Sequence, residues 1–202
     1  MSSQPGYFVG IIAVVIAAVL WGTTGTAATF APQVSPLGIA SVTMGVGGLL
    51  LALVAARPIA RHKTELFNNR LLVLAAAVNV AIYPLAFYSS MKLSGVAVGN
   101  VISIGLAPIA AALIEWTFDK QPLNRRWLIS IAFGITGVVC LATAKPASSF
   151  ENTATSWHNN VGILLGLVAA FTYAMYCWRA RRLIDRGIAS REAMGSMFGV
   201  GA

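Results

Sequence analysis

The chain is 202 residues long, 57% hydrophobic and only 10% charged, with a mean hydropathy of +0.77; a soluble domain of this size is far more polar. Fourteen Lys and Arg against six Asp and Glu give a net charge of +8 and a pI near 10.1. That surplus is spread over short gaps between apolar runs and does not gather on one face, which argues against a nucleic-acid footprint.

The runs themselves predict helices that cross a membrane. Each approaches the roughly 20 residues needed to span about 30 Å of hydrocarbon, and none shows the period-2 alternation of a barrel strand. The first covers 8–29. It is too long for the core of a signal peptide, and Met1–Tyr7 has no Lys or Arg, so it reads as a retained span. It carries the polar, Gly-rich patch Trp21-Gly22-Thr23-Thr24-Gly25-Thr26. The glycines suit close helix packing; the Thr hydroxyls can return to their own backbone or face a cavity.

The second run is 37–56, and Arg57, Arg61, Lys63 and Arg70 follow it. The third, 71–91, places Asn79, Tyr83, Phe87 and Ser90 on one helical stripe around Pro84. Ser89 and Lys92 have a Ser-x-x-Lys spacing, but a lysine closing a span is better read as snorkelling to the interface. The fourth, 95–117, sets Asn100, Ser103 and Ala107 on one face beside Pro108. A buried amide in hydrocarbon needs partners or water, so both stripes should point into the bundle, and each proline should kink its helix. Glu115 is the only acid within a span. It could couple protons, though its place near the end of the run favours an interfacial role.

Lys120, Arg125 and Arg126 separate this run from the fifth, 127–144. A sixth, 161–178, is followed by Arg179, Arg181, Arg182, Arg186 and Arg191, and the apolar stretch 193–202 begins a seventh. Gly95-x-x-x-Gly99 and Gly162-x-x-x-Gly166 read as close-packing motifs. Cys140 and Cys177 should differ in depth by roughly 18 Å at 1.5 Å per residue, too far for a disulfide.

Three strongly basic gaps thus alternate with gaps holding only Lys92 and Lys145. By the positive-inside rule the basic gaps and the amino terminus are cytoplasmic. A shift of 152 positions also lays Val9, Gly10, Ile11, Ala17, Ala18, Ala28 and Gly47 over Val161, Gly162, Ile163, Ala169, Ala170, Ala180 and Gly199. Five spans separate the matched points, so the two copies run in opposite directions, as in the inverted repeats of many secondary transporters. The expected fold is an all-α integral membrane protein: six full transmembrane helices plus the start of a seventh, from an inverted five-plus-five helix repeat. Residues 1–146 form the first repeat, 147–160 an outward-facing linker and 161–202 the start of the second. The sequence then reads as part of a ten-span protein.

No catalytic constellation is expected: His62 and His158 fall in gaps on opposite sides, no phosphate-cradling Gly-Lys-Ser/Thr loop is present, and neither a cofactor nor a metal is called for. Leu20-Trp21-Gly22-Thr23-Thr24, Pro36 before the second span, the run from Ser94 through Pro108 to Phe118, and Gly134-Ile135-Thr136-Gly137-Val138-Val139 together resemble the first repeat of an EamA-type transporter of the drug/metabolite transporter superfamily. The resemblance implies ten helices in two inverted repeats, a central cavity lined by both, and export of amino acids or other small metabolites. Where the family usually has a Gly-Glu pair after the Phe ending span 4, this chain has Asp119-Lys120-Gln121-Pro122, so the role of that glutamate is not carried over.

The expected function is therefore a non-enzymatic inner-membrane permease working by alternating access, with Trp21, Thr24, Asn79, Tyr83, Asn100, Ser103, Tyr173 and Tyr176 as cavity residues. Its partners would be a small-molecule solute and the lipid bilayer, with a homodimer compatible with the pattern. A lipid-carrier flippase and a non-transporting scaffold or sensor subunit are the rival readings.

Overall fold

The computed structural model describes residues 5–122, 125–143 and 156–202. All regular structure among them is helical. A helix satisfies its own backbone hydrogen bonds, and so long apolar runs without water contacts adopt it. The chain forms two compact units, Met1–Ser35 and Pro36–Ala202.

The first unit holds α1, Pro5–Thr29. Its Thr23, Thr24 and Thr29 hydroxyls donate to the carbonyls of Leu20, Trp21 and Thr26, each at 2.7 Å. Two hydroxyls of the polar patch, those of Thr23 and Thr24, are thus satisfied by the helix's own backbone.

The second unit holds α2 (Pro36–Arg61), α3 (Lys63–Asn68), α4 (Arg70–Ser94), α5 (Val96–Gly105), α6 (Ala107–Phe118), α7 (Arg125–Thr143), α8 (Ser156–Asp185) and α9 (Ser190–Gly201). Among the described residues five helices are long and apolar enough to cross a membrane: Phe8–Thr29, Pro36–Arg61, Arg70–Ser94, Val96–Phe118 and Trp157–Asp185. The α7 helix has 19 residues and carries a shorter apolar stretch, Trp127–Gly137.

Several boundaries differ from those the apolar runs predict, for physical reasons. The α2 helix continues to Arg61 and α8 to Asp185, past the last apolar residues. Hydropathy marks only the part of a helix suited to hydrocarbon, and basic residues in a last turn complement the helix dipole. Lys63–Asn68 forms a short helix in what the sequence leaves as a gap. The fourth run is two helices, α5 and α6, with a turn at Leu106. Pro108 lacks an N–H, so the Ile104 carbonyl loses its usual donor four residues on. Pro84, by contrast, sits inside α4 without interrupting it.

Two glycines make the sharp turns. Gly95 between α4 and α5 has φ +88°, and Gly187 after α8 has φ +89°, a region that other residues adopt only with strain. Around Gly187 the Ile188 N–H bonds the Leu183 carbonyl and the Gly187 N–H that of Ile184. That is the paired bond of a Schellman cap, and Ile188 and Leu183 are both buried beneath it.

The core is built on close approach. The α4 and α8 helices pack antiparallel: a Cβ at Gly162 would lie 2.7 Å from the Ser94 amide nitrogen, and one at Gly166 2.9 Å from Ser90 Oγ. Gly195 and Gly199 bring α9 onto Ala55 and Ala52 of α2 in the same manner. The α9 helix also reaches α4, where Gly201 meets the Ala77 carbonyl and Val80. Val80, Leu183 and Met197 from α4, α8 and α9 are fully buried where these helices meet.

Candidate functional site

The stripe predicted on α4 faces α8. The Tyr83 ring centroid lies 5.7 Å from Phe87 on its own helix, 5.5 Å from Tyr173 and 6.2 Å from Tyr176. Tyr173 and Tyr176 meet edge to face at 5.1 Å, and Tyr176 meets Phe198 of α9 at 5.7 Å. Three of the predicted cavity residues, Tyr83, Tyr173 and Tyr176, are thereby brought into one aromatic cluster. Such pairs add about 0.5–1.5 kcal/mol beyond area burial, so the cluster also joins the three helices.

Asn79 lies one turn earlier on α4. Its side-chain amide donates to the Ala75 carbonyl at 2.6 Å, which lowers the cost of an amide at this depth. Asn100 is half-buried on α5. Ser103, one turn further, is 1% exposed, and Ser90 on α4 is 0% exposed. Neither hydroxyl has a hydrogen-bond partner in the structure. A Cβ at Gly166 would sit 2.9 Å from Ser90 Oγ, so Ser90 faces α8 where that helix has no side chain. Serines in apolar helices usually bond back to a carbonyl three or four residues earlier, as Thr172 does to Val168 at 2.8 Å. Two buried hydroxyls left without such a bond are unusual in a packed helix seam. Trp21 and Thr24 belong to the first unit, where Thr24 donates to the Trp21 carbonyl.

One end of the second unit gathers charge. Glu115 pairs with Arg181 at 2.8 Å, and both side chains are well exposed. Asp119 binds the guanidinium of Arg182 and accepts the Trp178 indole N–H at 2.8 Å. The Trp178 hydrogen bond first, and Arg182 second, hold the Asp119 carboxyl below its usual value of 3.8. Arg182 stacks over Trp178 at 4.6 Å, Arg186 donates to Asn69, and His62 meets the buried Glu192 at 3.1 Å.

Arg191 adds a contact of another kind. Pro58 lies four residues after Val54 and cannot donate to its carbonyl; Arg191 Nη2 does so instead, at 2.9 Å. The three basic gaps therefore lie at one end of the helices, while Lys92 lies at the opposite end of α4. Sequence reasoning missed Phe198, which falls in the seventh run, and the Arg191 contact. Pro58, two residues past the second run, was the available signal for a carbonyl in need of a donor.

Residues 8–143 match the model of the EamA-like transporter family. A Bacillus subtilis (strain 168) protein called the uncharacterized transporter YwfM is 34% identical over 166 residues, covering 81% of this chain and 52% of the relative. The chain thus spans about half the length of that curated relative. No solved structure matches the chain at a significant level.

Proposed function

The chain belongs to the EamA-like transporter family, and on that premise we propose that this multi-pass membrane protein moves small metabolites, such as amino acids or related compounds, by alternating access. The observation that carries the proposal is the meeting of α4 with α8 and α9 around Tyr83, Tyr173 and Tyr176. In the proposed architecture α4 belongs to the first of two inverted repeats and α8 and α9 to the second. A solute site between repeats, at the depth of broken helices, is the arrangement that alternating access uses. Ser90 and Ser103 supply buried hydroxyls beside the cluster, and the α5–α6 break at Leu106 supplies the discontinuous helix.

The repeat reading has support of its own. Gly199 follows Gly47 by 152 positions (199 − 47 = 152), and it packs on α2 at Ala52 and near the Gly48 carbonyl. Helices that the offset treats as equivalent thus cross antiparallel at nearly equivalent points, as a two-fold axis in the membrane plane requires. In this account α7 is the fifth span, α8 the sixth and α9 the start of the seventh. The charged end faces the cytoplasm of a bacterial-type cell, so α1 enters the inner membrane from that side.

The test uses the full-length protein in an export-deficient strain. Replacing Asn79 and Asn100 by Ala should cut efflux of the transported metabolite at least tenfold with the protein level unchanged, roughly 1.4 kcal/mol of lost solute contact. Unchanged efflux would remove these residues from the site and favour the scaffold reading, in which the stripe serves helix packing alone.

A further inference from the structure

At the charged end of the second unit, a cavity of about 590 Å³ opens where α3 passes into α4 beside the end of α8. Its walls include Asn68, Asn69, Arg70 and Arg186, with Leu71 and Leu72 as apolar lining. No carboxylate lines it: Glu65 and Asp185, the nearest acids along the chain, are both outside the wall. The central carbon of the Arg70 guanidinium lies over the Phe67 ring, 4.7 Å from its centre. Asn69 accepts a hydrogen bond from one Arg186 nitrogen, while its own amide donates to the Glu65 carbonyl at 2.9 Å. Both guanidiniums are therefore held in place while each keeps most of its five N–H donors open. Two fixed guanidinium forks without a counter-charge suit one anion above others, a phosphate that accepts several hydrogen bonds at once.

The surroundings indicate what carries the phosphate. From the cavity, Leu71, Leu74 and Val78 run up one exposed face of α4, with 78%, 49% and 57% of their surface open. They recur at helical spacing inside a membrane-crossing helix. A phosphate seated between Arg70 and Arg186 would have this apolar stripe directly beside it. We propose that the cavity is a binding site for a phosphate ester, with the headgroup of an anionic phospholipid as the occupant that the stripe favours over free phosphate. The site is separate from the aromatic cluster, and it requires only that α4 crosses a bilayer. Asn69 is a positioning residue: it aims Arg186 and adds no charge.

Native mass spectrometry and thermal unfolding of the full-length protein, with phosphatidylglycerol, phosphatidylcholine and inorganic phosphate as probes, test the site. Phosphatidylglycerol should be retained over phosphatidylcholine. Arg70→Gln and Arg186→Gln should each weaken its retention about tenfold or more, the effect of losing a charged hydrogen bond. Arg57→Gln removes an equal charge outside the cavity and should cost at most about fivefold, the worth of one unspecific surface charge. Asn69→Ala keeps every charge and should lie between these values. Should either glutamine variant fail to fold, Arg70→Lys and Arg186→Lys keep the charge, remove the fork and should still weaken retention. Inorganic phosphate that displaces the lipid at equal concentration would overturn the lipid assignment in favour of the free anion. Equal losses from Arg57→Gln and Arg70→Gln would overturn the site itself.

Discussion

The contact between Arg191 and the Val54 carbonyl allows a quantitative test of how the α2 and α9 helices are joined. Pro58 leaves that carbonyl without an intrahelical donor, and Arg191 supplies one across the interface at 2.9 Å. A hydrogen bond from a charged donor contributes about 1.5–3 kcal/mol when buried; the exposure of this one brings it nearer 1 kcal/mol. Arg191→Met should therefore destabilise the protein by about 1 kcal/mol. With Pro58→Ala, residue 58 regains an N–H that can serve Val54 from within α2, and Arg191→Met should then cost close to nothing. Unfolding in mixed detergent micelles, measured for the four proteins of the cycle, should give a coupling energy near 1 kcal/mol. A coupling within about 0.3 kcal/mol of zero would refute the reasoning, because Arg191 would then be stabilising α9 by some route independent of the proline.

Three further outcomes follow from the packing and the charged end. Gly162→Ala places a methyl 2.7 Å from the Ser94 amide nitrogen, whereas Gly134→Ala meets nothing within 4 Å. Both gain the same helix propensity, so the first should be less stable than the second by about 1–3 kcal/mol in the same micelle assay. Lys120 holds φ +55° in the turn after α6; Lys120→Gly relieves a conformation costing about 1–2 kcal/mol and should raise stability by a smaller amount, after the added freedom of the unfolded chain. Asp119, held below its usual 3.8 by Trp178 and Arg182, contributes stability that is fully present above that value and lost as pH falls through its lower folded value. The stability gap between wild type and Asp119→Asn should accordingly persist from neutral pH down to about 4 and close below it.

Much of this was legible in the chain. Gly162 and Gly166 announce a close helix pair because the absence of a side chain at helical spacing has few other uses. Tyr83, Tyr173 and Tyr176 were named as cavity residues, and the structure brings their rings together. What could not be read depends on where neighbouring helices come to rest. The fourth run is apolar around Leu106, so its division there left no mark on hydropathy, and only Pro108 hinted at it. The α3 helix holds charged and apolar residues in too short a stretch for a period to show. Ser90 and Ser103 were placed on polar stripes from their spacing; that their hydroxyls lack the usual carbonyl partner is visible only in the packed structure. The pairing of Glu115 with Arg181 joins residues 66 positions apart, which no local pattern announces.

The central claim is that water and solute reach the face of α4 and α5 between the two repeats. Single cysteines at Asn79 and Asn100, in full-length protein with Cys140→Ala and Cys177→Ala, report on this directly through labelling by a membrane-impermeant methanethiosulfonate. The account predicts that both positions label from an aqueous side, and that the transported metabolite protects them. Positions that stay unlabelled from either side of the membrane, in protein that still transports, would contradict it.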